Sequence, residues 1–170
     1  MAWTFGIKQL LSGDKAVDGG MGTTLTEHDE TLKGTAVLET TDETITWIST
    51  EEKGKRLAIG QNDGETTLTF EVANPAPETM AYYLGGNVVG DGVTIPKSYS
   101  PPATKEVIEK SFKVVTLDGY DIEIPNGKVL ATPLGGQIGT DNVLTMRVVV
   151  TVQQPTKEGV EAITFKEKAV

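Results

Sequence analysis

Residues 66–86, TTLTFEVANPAPETMAYYLGG, change their hydrophobic period once, and that change restricts the folds open to the chain. Leu68, Phe70 and Val72 alternate with Thr67, Thr69 and Glu71, the two-residue period of a half-buried strand. Asn74 then offers a short polar side chain to the amides of a following turn. Pro75 at a first helical position gives up only an N–H that has no partner there anyway. Pro77 is tolerated in the same turn, and Ala76, Met80, Tyr83 and Leu84 follow as one apolar stripe. Gly85 and Gly86 close it, because glycine adopts the left-handed conformation at a helix C-terminus without steric cost. The stretch predicts a strand leading straight into a helix at about 75–84, of near-average length, packed on a sheet.

Elsewhere the periodicity is of the strand type. Residues 35–49 are rich in Thr, Ile, Val and Trp, with an interruption at Thr41-Asp42-Glu43, and predict two strands meeting at a turn. Beyond the helix come turn dipeptides, a short run at 92–95 and the breaker Pro101-Pro102. Residues 106–117 place Ile108, Phe112 and Val114 on one face, and Asp118-Gly119 turns the chain back into 120–124 as a hairpin. Pro125-Asn126-Gly127 predicts another turn before a returning strand at 128–132 and a loop at 134–141. Leu144, Met146, Val148, Val150 and Val152 form the longest alternating strand, and a last one is expected at 161–166. The pattern predicts a mainly β fold, an antiparallel sandwich or small barrel with one flanking α-helix.

Two stretches lack this order. Residues 1–34 open with a short strand at 3–10 and continue as SGDKAVDGGMGTTLTEHDE, which cannot bury enough surface alone to offset its ordering entropy. They are expected as an N-terminal arm or extended segment, either a frayed terminus or an arm that orders against a neighbouring subunit. Residues 50–65 combine glycines, the charges Glu51, Glu52, Lys53, Lys55 and Arg56, and an apolar island at 57–59. They are expected as a long interface loop within a single β domain spanning 35–170.

A chain of 170 residues can bury one real core. Its formal charge of -9 argues against gripping nucleic acid through basic patches. The acidity lies in residues 1–85, with 14 Asp/Glu against 6 Lys/Arg, while residues 86–170 hold 10 against 9. Without cysteine there is neither a disulfide framework nor a thiolate metal site. The first eleven residues lack the pattern of a secretory signal, and no run approaches the ~18 apolar residues of a membrane span. A soluble chain without membrane partners is expected.

Catalytic patterns are few. His28 is the only histidine, so a histidine metal cluster is excluded and a Ser-His-Asp triad would have to use this one residue. Glu27-His28-Asp29-Glu30 reads as a solvated charged run rather than a cation site. The glycine runs at 19–22 and 135–139 lack the Gly-Lys-Ser/Thr ending of a phosphate loop. Adjacent carboxylates such as Glu51 and Glu52 read as surface rather than an acid and base pair. Trp3, Trp47, Tyr82, Tyr83, Tyr99 and Tyr120 would serve a glycan-binding platform only if they shared a face; rings in such patterns are more often core. No enzyme activity, cofactor or metal is expected.

Three motifs in this order resemble the major tail, or tail tube, proteins of long-tailed bacteriophages. They are the strand into Asn74-Pro75-Ala76-Pro77-Glu78 ending at Leu84-Gly85-Gly86, the segment from Tyr120-Asp121-Ile122 to Lys128-Val129, and the long strand at 143–152 with a short one after it. The resemblance covers roughly residues 35–166. It implies a β-sandwich with a flanking helix, a fold shared with type VI secretion tube proteins. It also implies hexameric rings stacked into a hollow tube in the virion, through which DNA is ejected without specific binding. Tape-measure, tail-terminator and baseplate or initiator proteins are the partners it implies. On this reading Glu39, Thr67, Thr69 and Glu71 face the lumen, where an acidic or neutral polar wall does not hold a polyanion. Glu51, Glu52, Lys53, Lys55 and Arg56 then contact the next ring. The alternative is a non-enzymatic β-sandwich binding module, for glycans for example.

Overall fold

The computed structural model describes residues 3–52, 56–62 and 64–168, with backbone alone at 46, 47 and 56–62. Its strands are β1 (Phe5–Gly13), β2 (Thr26–Glu27), β3 (Val37–Thr40), β4 (Thr44–Ser49), β5 (Arg56–Asn62) and β6 (Thr66–Ala73). The helix α1 (Pro77–Leu84) follows, then β7 (Asn87–Val89), β8 (Ser98–Ser100), β9 (Ile108–Asp118), β10 (Tyr120–Ala131), β11 (Thr145–Val152) and β12 (Thr164–Glu167). Eight strands form one antiparallel sheet in the order β2-β1-β9-β10-β11-β6-β3, with β12 beside the first residues of β10. β4 with β5, and β7 with β8, form separate two-stranded ribbons. The protein is mainly β and antiparallel with one helix on its flank, as the alternation predicts.

The two-residue period places the core. Met146, Val148 and Val150 of β11 are fully buried. Val148 stands between Phe70 and Ala131 of the adjoining strands, and Val150 between Leu68 and Val129. Leu10, Phe112, Val114 and Ile124 extend the same buried cluster through β1, β9 and β10. Leu10 and Leu68 border one groove of about 850 Å³ although three strands lie between β1 and β6. The sheet therefore curls until its flanks face each other.

Helix α1 drives Tyr83 into this core, its ring centroid 6.1 Å from Phe70 and 6.5 Å from Phe112. The phenol hydroxyl meets Ser12 Oγ at 3.1 Å, so two buried polar groups satisfy each other. The helix begins two residues later than its sequence predicts. Ala76 is the N-cap and Pro77 the first helical residue. Asn74 instead adopts φ 44° and turns the chain out of β6, and the Ala76 N–H donates to the Asp29 carboxylate at 2.7 Å.

Four further expectations are corrected. Residues 1–34 are no arm: β1 pairs with β9 from Phe5 opposite Asp118 to Gly13 opposite Ser111, and Leu10 and Ser12 are buried. Residues 50–65 are not loop throughout, because residues 56–62 form β5 and pair with β4. The two strands of residues 35–49 exist but do not pair with each other, since β3 joins β6. Nor is there a turn at 125–127. Ile124 faces Phe112 and Gly127 faces Lys110, so Pro125 and Asn126 share Ser111 as a β-bulge inside one long strand.

The bulge is held by hydrogen bonds. Ser111 Oγ donates to the Pro125 carbonyl at 2.6 Å and accepts from the Gly22 N–H at 2.9 Å. The Asn126 carbonyl accepts from Gln153 at 2.9 Å. Gly127 lies so close to its neighbours that a Cβ there would stand 2.3 Å from Val150 Cγ1. At this bulge the neighbour of β10 changes from β12 to β11.

Candidate functional site

The face of the sheet turned away from the core is laid out by register. One row runs Glu39, Thr67, Thr151, Lys128 across β3, β6, β11 and β10. A second runs Val37, Thr69, Val149, Leu130, and Glu71 stands opposite Arg147 in a third. Glu39, Thr67, Thr69 and Glu71, predicted from two separate strands, therefore share one surface. Alternation along each strand carried that signal. Lys128 and Arg147 escaped it, because each belongs to a strand whose outer face gains meaning only once its neighbour is known. With them the four strands offer a threonine-rich face on which two acidic and two basic side chains balance.

The same outer surface continues onto β9 and β12 as an ionic cluster. Glu123 accepts from Lys113 at 3.0 Å and from Lys166 at 2.6 Å. Burial by itself raises the Glu123 carboxyl, but the two lysines outweigh it and hold it below the usual carboxylate range. Asp121 accepts the Thr116 amide at 3.0 Å and lies 3.5 Å from Lys168.

The lateral boundaries are unfinished. β2 pairs with β1 only at Leu11 and Ser12, which leaves the preceding residues of β1 without a strand on that side among the described residues. β3 has β6 on one side and, among the described residues, no strand on the other. Because neighbours alternate in direction through the sheet, β1 and β3 run oppositely. Phe5 and Ile7 on one boundary and Val37 on the other are exposed.

Beyond β3 and β6 the paired chain leaves the sheet as a projecting ribbon. Thr41 N–H donates to the Glu65 carbonyl at 2.9 Å, and Glu65 N–H donates to Thr41 Oγ1 at 2.7 Å, which joins β3–β6 to β4–β5 as one hairpin. Pairing then runs from Thr44 opposite Asn62 to Ser49 opposite Arg56. Ile45 and Ile48 of this ribbon are about half exposed, at 50% and 45%. Glu51 and Glu52 are exposed at its tip, Lys53 and Lys55 lie outside the described residues, and Arg56 opens β5.

Catalytic and ligand-type arrangements are sparse. Among the described residues no group of three His, Cys, Asp or Glu is placed to hold a metal. No helix is long and apolar enough to cross a membrane. Among the described rings, Tyr83 is core, Tyr82 stacks on His28 and Tyr99 donates to the Gly85 carbonyl at 2.9 Å, while Trp3 and Tyr120 are exposed, the Tyr120 amide donating to Thr4 Oγ1 at 3.1 Å. The side chain of Trp47 lies outside the described residues.

No protein-family model matches the chain, and a search of curated proteins returns no match.

Proposed function

We propose that this protein is a structural subunit that assembles with copies of itself into stacked rings, forming a phage tail tube through which DNA is ejected. The observation that carries this reading is the pair of unfinished, oppositely running boundaries on one curled sheet. Strand boundaries without partners invite pairing with other chains, and proteins cover or blunt them unless pairing is their use. When β1 of one copy meets β3 of the next, the antiparallel alternation continues unbroken. Such a contact is heterologous, so it generates a ring or a filament rather than a closed pair.

The outer face fits a conduit. Its balanced charges and threonines offer no basic track for phosphate, and affinity for DNA depends on just such a track. The resemblance to tail tube proteins supplies hexameric rings, the tape-measure, tail-terminator and initiator partners, and location in the virion. The exposed isoleucines and charged tip of the ribbon suit contact between rings. The chain acts here by assembly, without catalysis or cofactor.

Electron microscopy and sedimentation of the chain with its natural assembly partners test this reading. Rings or tubes are expected for the native protein. Ile45→Lys with Ile48→Lys should leave the circular dichroism spectrum unchanged and abolish polymer. A double variant that still forms normal tubes counts against the ribbon contact, and monomers alone even beside the partners count against assembly. Glu39→Lys with Glu71→Lys tests the lumen: tubes that form and deliver DNA normally would remove these residues from the conduit wall.

A further inference from the structure

We propose that residues 26–35 form an acid-sensitive strap, with His28 as its sensor, whose release uncovers the end of β6 and uncaps α1. The inference stands on local geometry and is independent of the assembly reading.

This strap comprises β2 and the connection from it towards β3, and it crosses from one boundary of the sheet to the other. Along the way it completes the part of β6 that β3 does not reach. Leu32 N–H donates to the Glu71 carbonyl at 2.8 Å, and Ala73 N–H donates to the Glu30 carbonyl at 3.1 Å. Thr31 forms a bridge with Val72, and the Glu71 amide donates to Thr35 Oγ1 at 3.1 Å. Asp29, at φ 57°, accepts the Ala76 amide at the start of α1. A non-glycine residue in that conformation persists only while its surroundings hold it.

His28 fastens the strap to the helix. Its ring stacks on Tyr82 with centroids 3.9 Å apart and meets Tyr83 edge-on, and Nε2 lies 3.1 Å from Thr26 Oγ1. The charged groups around it do not welcome a proton. Lys110 of β9 lies over the same Tyr82 ring, 4.5 Å from its centroid. Asp14, which follows β1, is already paired with Lys110 at 2.5 Å, and Lys15 with Glu109 at 2.5 Å. Asp29 beside it is committed to the Ala76 amide. Among these described groups no carboxylate is dedicated to an imidazolium. Burial foremost, then Lys110, holds His28 below the usual histidine range despite Asp29 and a hydrogen bond to the Ser12 backbone, both of which favour the protonated ring. A cavity of about 490 Å³ bordered by Asp14, Lys15, Thr24, Thr26, His28 and Tyr82 gives solvent a route to the ring.

Protonation puts a second cation on a ring that Lys110 already occupies. The strap is then weakened by the factor separating the bound and released affinities for that proton, tenfold for each pH unit between them.

Amide hydrogen exchange at pH 7.5 and pH 5.0, corrected for intrinsic rates, tests this. Protection at Leu32, Ala73 and Ala76 should fall about three- to tenfold more at pH 5.0 than protection in β11. His28→Gln should remove the difference. Equal protection at both pH values, or the same loss in His28→Gln, overturns the proposal; the second result would assign the effect to a group other than His28. If the variant does not fold, the native protein still decides. The His28 ring proton and the strap amides must shift in NMR with one common midpoint below that of free imidazole, and separate midpoints overturn the idea.

Discussion

Ser111 illustrates how much can rest on one hydroxyl. It is fully buried, serves the Gly22 amide and donates to the Pro125 carbonyl. Ser111→Ala leaves a donor and an acceptor without partners, and should cost about 1–3 kcal/mol in urea unfolding. Glu123 makes a different prediction, one about pH. Its folded carboxyl sits below its unfolded value, so its stabilisation is present above the usual carboxylate range and is lost as pH falls through the lowered value. Glu123→Gln should lower stability at pH 7 and flatten that part of the acid profile, as thermal melts across pH will report. Asp91 is held down to about 2 by three backbone amides, those of Ile95, Val93 and Thr94. The turn at 91–95 should accordingly keep its form in acid that has already protonated ordinary carboxylates.

Among the elements, β10 depends on Gly127 as its sequence does not disclose. Gly127→Ala forces a methyl against Val150 and Phe112 and should destabilise by about 1–3 kcal/mol through overpacking, measured by denaturant midpoint. Replacing residues 44–62 with a short turn should leave the melting temperature of the main sheet nearly unchanged, since β4 and β5 pair only with each other. Alternation made β6, β9 and β11 legible, because each has one buried and one solvated face. It failed at residues 56–62, where a ribbon apart from the main sheet has no core to impose a period and the surrounding glycines and charges of the sequence look like a loop. At 125–127 the sequence Pro-Asn-Gly carries the residues of a turn, and only the pairing with Ser111 distinguishes a bulge. The four predicted lumen residues came out on one face because their period was correct. Their basic neighbours Lys128 and Arg147 required register, which no single strand contains.

For the molecule as a whole, charge and shape make a joint prediction. Lys110 lowers Asp14, Lys157 lowers Asp18 and Lys97 lowers Glu78, alongside the amides at Asp91 and the lysines at Glu123. Each favours the folded state above the carboxylate range and ceases to do so as acid titrates it. His28 acts in the same direction at higher pH, because its folded form resists a proton that the unfolded chain accepts. Stability should therefore decline with acid in two stages, a shallow one through the imidazole range and a steeper one below it, with His28→Gln removing only the first.

The kink that Pro125 and Asn126 put into β10 also bears on size. It lies between the two unfinished boundaries and helps fix the angle that separates them, and for identical pieces joined side by side that angle determines how many complete a circle. In the ring proposed above, a change of a few degrees there would alter the circumference of the bore without touching any residue at a junction.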